Sequence, residues 1–195
     1  LVQQFQQALQ RKDRAEVVDR LRQLVALCAP MAGQWLQLAP MAADLGEFGL
    51  AREAIDLFVE GAGGDPAALM HKVSLLAYIG AIGEALALLR TLPPDVPDPF
   101  SHALSRGALA SNAGETDAAR QWLENALRLR SQSGQAWHLL AQLVDFAGEP
   151  ALADRLFASE REMQAAPPVE RAYYYYALGK AHAARGEHAR AFAAV

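Results

Sequence analysis

Cysteine is almost missing from this sequence. Cys28 is the only one, which excludes an internal disulfide and any metal or redox site built on a CxxC pair. Basic residues are in slight deficit: 18 Lys and Arg against 22 Asp and Glu leave a formal charge of −4 and a pI of about 5.7. No electrostatic excess is available to grip nucleic acid or an anionic membrane. Long apolar runs are scarce as well. The most apolar stretch, residues 73–89, is interrupted by Gly80, Gly83 and Glu84 and reads as two short amphipathic helices rather than a membrane span. With one cysteine and no span, the expected compartment is the cytoplasm. Both ends look cut, since the chain opens at Leu1 without a methionine and stops at Val195 inside a helical run. The expectation is a piece of a longer protein.

Motifs that carry chemistry are equally scarce. His71, His102, His138, His182 and His188 form neither HExxH nor an i, i+4 pair, so no metal site is expected. The stretch EGAGGDP at residues 60–66 has no preceding strand and no GK[ST] ending, and it reads as a turn rather than a phosphate loop. No Ser/His/Asp or Cys/His set has motif-level support. For this chain we expect no catalytic residue, no cofactor and no enzyme activity.

What the chain does have is a folded composition and a period. Apolar residues make up 52% and charged residues 21%, the range of a packed domain. Gly46, Gly80, Gly114, Gly148 and Gly186 are spaced by 34, 34, 34 and 38 residues. Five residues after each glycine stands an alanine: Ala51, Ala85, Ala119, Ala153 and Ala191. Glu47, Glu115, Glu149 and Glu187 follow their glycines directly. Each unit therefore reads as a helix, a tight turn and a second helix. The glycine takes the left-handed turn position, the glutamate sits at the positive end of the second helix, and the alanine lies where the two helices approach closely. Ile55, Leu89, Leu123 and Phe157 follow one turn later on the same face.

This spacing resembles the tetratricopeptide repeat, whose pattern is W-x2-L-G-x2-Y, then A-x3-F, then a proline. The match is clearest at Trp137, Leu140, Ala141, Val144, Gly148, Ala153 and Phe157, and recurs at Trp35, Leu38, Ala39, Gly46 and Ala51 and at Tyr175, Leu178, Gly179, Gly186 and Ala191. The resemblance implies an all-α fold, a right-handed α-solenoid of antiparallel helix pairs in a single array over residues 1–195. Copies fall at 32–65, 66–99, 100–133, 134–171 and a truncated 172–195, with a degenerate copy at 1–31 whose helices lie near 1–11 and 14–28. Lys72 and Arg106 occupy slots usually aliphatic, so their stems should pack and their charged ends reach water. Pro40 should kink its helix, and residues 167–170 should lengthen the turn before the last copy.

The four tyrosines at 173–176 cannot share one helix face. In the family's register Tyr175 is core, Tyr174 lies near a seam, and Tyr173 and Tyr176 face the concave groove. The same register places Met70, Ser74, Tyr78, Leu104, Asn112, His138, Gln142, Phe146 and Lys180 on that groove. Leu36, Met70, Leu104 and His138 stand where the family's carboxylate clamp has lysine, so an acidic C-terminus is not the expected ligand. The implied function is a scaffold that binds a peptide or partner domain, with an uncapped C-terminal end open to self-association. The segment YYYYALGKAHAARGEHARAFAAV is also similar to the last repeat of bacterial proteins that join such an array to a sulfotransferase domain. That likeness implies a substrate-docking arm. The donor 3′-phosphoadenosine-5′-phosphosulfate would belong to a domain beyond residue 195.

Overall fold

Polar caps and prolines mark where helices begin. Asp13, Asp65, Asp98 and Ser133 each accept a backbone N–H of the following first turn, satisfying donors that the helix itself leaves open. Pro66 and Pro99 occupy the first helical position, where a missing N–H costs nothing. Left-handed glycines mark where helices end: Gly46, Gly80, Gly114 and Gly186 have φ of 77°, 80°, 79° and 74°, a region open to glycine without a Cβ penalty.

A computed structural model describes residues 1–194, and among them it contains thirteen α-helices, a short 3-10 turn at Ala32–Gln34 and no strand. The chain divides into two compact units at Pro93/Pro94. The first holds α1 (Val2–Arg11), α2 (Arg14–Ala26), α3 (Trp35–Asp44), α4 (Phe48–Gly61), α5 (Pro66–Tyr78) and α6 (Ile82–Thr91). Its helices pack as α1 with α2, α3 with α4 and α5 with α6, while α4 also touches α2 and α5 and α3 touches α5. Connections of a few residues make contacting helices fold back on each other. The two N-terminal helices fall where the sequence places them.

The second unit holds α7 (Pro99–Asn112), α8 (Thr116–Leu129), α9 (Gly134–Leu143), α10 (Pro150–Ala158), α11 (Glu160–Met163), α12 (Pro168–Ala184) and α13 (His188–Ala193). Here α7 packs on α8, α9 on α8 and α12, and α12 on α13, with α10 and α11 against α12. Each unit has its own apolar core, one running from Phe5 to Leu75 and the other from Ala103 to Ala181.

The alanine column packs as its spacing suggests. Ala51, Ala85, Ala119 and Ala153 are fully buried, and only Ala191 is half-buried. Trp35 and Trp137, three periods apart, donate their indole N–H to the carbonyl six residues earlier, Ala29 at 3.2 Å and Ser131 at 3.1 Å. Side-chain contacts also recur at about one period. Arg52 clamps Glu84 at 2.7 and 2.9 Å, Arg120 grips Glu149, and Arg185 meets Asp154 at 2.5 Å. Lys72 Nζ reaches Asp56 at 2.6 Å, and the Arg106 guanidinium lies 4.7 Å from the centre of the Trp122 ring, so both stems pack as expected.

Three expectations are corrected. The helix before Gly148 stops early, at Leu143, because Val144 is extended and Asp145 Oδ1 accepts the Ala147 N–H at 3.0 Å, a side-chain turn that competes with the helix. Residues 168–170 form the first turn of α12 rather than a longer loop, since Pro168 sits at its first position and Glu170 in its first turn. The buried tyrosine is Tyr174, at 0% exposure, and Tyr175 is half-buried. The inward stripe of α12 runs Tyr174, Ala177, Leu178 and Ala181, an i, i+3, i+4, i+7 set. The glutamates after the turn glycines stand at the N-terminal ends of their helices, as expected, without a side-chain capping bond. Glu47, Glu149 and Glu187 instead receive Arg14, Arg120 and His182.

Candidate functional site

The residues assigned to a groove fall in both units, and each unit gathers some of them on one surface. In the second unit the surface is built by α9 and α12. These helices approach closely at Gly134, where a Cβ would stand only 1.9 Å from the Glu170 carbonyl oxygen. Glu170 Oε2 also accepts the Gln135 N–H at 3.1 Å, putting a carboxylate at the positive end of α9. That seam fixes the register between the helices. Tyr173 and Tyr176, 37% and 43% exposed, then meet His138 with ring centres 5.1 and 4.6 Å apart.

Gln142, one turn along α9, lies with its amide nitrogen 2.7 Å from His138 Nε2. Lys180 Nζ donates to the Ala141 carbonyl at 2.6 Å, one of the last carbonyls of α9, which have no intrahelical partner. Burial lowers the His138 pKa, and the Lys180 charge lowers it further, because both disfavour a second positive charge there. Its Nδ1 is buried without a hydrogen-bond partner. The surface thus offers aromatic faces, an amide and a lysine ammonium beside a neutral imidazole.

Tyr174 points the other way. Its hydroxyl donates to the Leu156 carbonyl at 2.5 Å, filling an acceptor near the end of α10. Burial pushes its pKa well up.

Phe146 does not reach this surface. Where α9 breaks, its ring turns into the core and is 3% exposed. Leu104 is half-buried against the same core, and Asn112 is exposed at the last residue of α7.

In the first unit, Met70, Ser74 and Tyr78 lie along α5. Ser74 donates to the Met70 carbonyl at 3.0 Å, and Met70 is half-buried. Tyr78 is 64% exposed, and its hydroxyl donates to Asp44 Oδ1 on α3 at 2.5 Å. That hydrogen bond, with the Asp44 charge behind it and burial adding a little, raises the Tyr78 pKa. Between the two helices lies an open pocket of about 250 Å³, walled by Leu36, Pro40, Ile55, His71, Ser74, Leu75 and Tyr78.

His71 and Pro40 were not brought to this pocket in the sequence reading, nor Asp44 to the Tyr78 hydroxyl beside it. The signal for Pro40 and Asp44 was the run Leu36, Pro40, Asp44, spaced i, i+4, i+8 along α3. In the structure α3 continues through Pro40 as one helix.

Among the described residues no group of His, Cys, Asp and Glu could hold a metal ion, and no helix is long and apolar enough to cross a membrane. No protein-family model matches the chain, and no curated protein matches it.

Proposed function

We propose that this chain is a protein-interaction scaffold of the tetratricopeptide type that binds an extended peptide, or the exposed segment of a partner domain, on the faces of its first helices. The observation that carries this reading is the cluster of Tyr173 and Tyr176 against His138, with Gln142 and Lys180 beside it. Two large aromatic rings stay solvent-accessible although the helix bearing them has a well-filled inward stripe. Aromatic side chains lose little rotamer freedom on binding and supply both apolar area and a polar tip. An amide and an ammonium next to them suit the carbonyls of a peptide backbone.

The test is selection of binders from a random peptide library displayed on phage, repeated with Tyr173→Ala/Tyr176→Ala. The enriched peptides should bind the unaltered protein saturably and the double variant at least about tenfold more weakly, the size of a small hot spot. Helix content by circular dichroism should be unchanged. Equal affinity for both proteins would move the working surface away from α9 and α12.

The tyrosine-rich segment supports a second reading, the substrate-docking arm of a larger sulfotransferase. Its test is whether a longer chain carrying residues 1–195 transfers sulfate to a phenol or tyrosine peptide, and whether the tyrosine substitutions raise KM while leaving kcat alone.

A further inference from the structure

The pocket between α3 and α5 has a one-sided hydrogen-bonding character. Ser74 spends its proton on the Met70 carbonyl and Tyr78 spends its proton on Asp44, so both hydroxyls turn lone pairs toward a ligand. Pro40 has no N–H, which leaves the Leu36 carbonyl, four residues earlier in α3, without its intrahelical donor. Asp44 adds an exposed carboxylate one turn beyond Pro40. Apart from the His71 ring, the polar groups here are acceptors, and among the described residues neither lysine nor arginine lines the pocket. The walls themselves are apolar. A ligand that matches has an aliphatic body, several donors and a positive head.

We propose that the α3–α5 groove takes an arginine side chain of an extended partner peptide, its stem on Pro40 and Leu75 and its guanidinium at Asp44 and the Tyr78 ring. The planar fork has five donors for a carboxylate, a phenol oxygen and a backbone carbonyl. Its face can also lie on the exposed tyrosine ring. This assignment rests on the scaffold reading above and adds the chemical class of one recognised side chain.

The experiment is a fluorescence-anisotropy titration of the whole chain with a fluorescein-labelled peptide, Gly-Ser-Ala-Leu-Arg-Leu-Ala-Ser. A second peptide carries citrulline, which has the same shape without the charge. A third carries glutamate at that position. The arginine peptide should bind saturably, and the citrulline peptide about tenfold more weakly, as for a lost charge-assisted hydrogen bond. Asp44→Asn should weaken the arginine peptide by a similar factor, since Asp44 is exposed and its amide keeps the side chain's shape. Pro40→Ala should weaken it about threefold by returning a donor to the Leu36 carbonyl, in a helix that alanine favours. Equal binding of the arginine and citrulline peptides, or an Asp44→Asn protein that binds as tightly as before, would overturn the proposal. If the citrulline or glutamate peptide binds and the arginine peptide does not, the proposal falls and the scaffold reading survives. If none of the three binds while library peptides do, the arginine assignment alone is lost.

Discussion

A histidine ring packed against two tyrosine rings loses the water that would stabilise its charged form, and a nearby ammonium makes that form costlier still. His138 is in this position against Tyr173, Tyr176 and Lys180. Its folded-state pKa is therefore below the value of about 6.5 that an unfolded histidine has. Between those two values the unfolded chain binds more protons than the folded one, so stability rises with pH across that interval. The contribution is complete above the unfolded value and is lost as the pH falls through the folded one. His138→Gln removes this titration, so the difference in urea midpoint between pH 7 and pH 5 should be smaller in the variant than in the unaltered protein. The comparison cancels the other histidines, which both proteins share. An identical pH difference in the two would mean that the imidazole is as well solvated when folded as when unfolded.

At the scale of elements, the α9–α12 seam depends on a glycine whose backbone is helical. A methyl at Gly134 would collide with the Glu170 carbonyl oxygen at 1.9 Å, and a backbone atom cannot rotate away as a side chain can. Gly134→Ala should therefore destabilise the second unit by about 3 kcal/mol, toward the upper end for overpacking, although alanine is the better helix former. Gly49 in α4 is the control, because nothing stands within 4 Å of its added Cβ. There alanine should stabilise slightly through helix propensity and the unfolded state. Denaturant midpoints of both variants decide it, and a harmless Gly134→Ala would mean that the seam opens at little cost.

The same elements show what the sequence could and could not disclose. Turn glycines and column alanines were legible because steric demand at those positions singles out one residue type, and Gly46, Gly80, Gly114 and Gly186 are left-handed as that demand requires. Four adjacent tyrosines offer no such contrast. Any one of them can supply the inward ring, so the choice of Tyr174 was made by tertiary packing and by a second hydrogen bond to the Leu156 carbonyl, which also accepts the Ser159 N–H. The early end of α9 was hidden for a related reason. Gly148 keeps the period, yet the Asp145 turn and the burial of Phe146 end the helix before the glycine is reached. Of the groove candidates, Tyr173, Tyr176, His138, Gln142 and Lys180 meet across α9 and α12, and it was the register of the repeat they resemble that put them on one surface. Asp44 falls outside the groove positions of that register, and only its hydrogen bond with Tyr78 brings it to the surface.

For the molecule as a whole, the 34-residue period is a claim about packing that can be checked one copy at a time. Ala51, Ala85, Ala119 and Ala153 are all fully buried, two in each compact unit. If they occupy one structural position, they should share one intolerance. Leucine at any of the four inserts three carbons where helices are in close contact, and each substitution should cost about 1–3 kcal/mol in chemical denaturation. Ala191 belongs to the same sequence column but is only half-buried, so leucine there should cost little. A graded result would locate the copies that have drifted from the common packing. Uniform tolerance at the four buried positions would break the link between period and packing, and with it the main support for treating the chain as a repeat array. Four large losses beside a small one at Ala191 would tie the sequence period to the packed structure in both units.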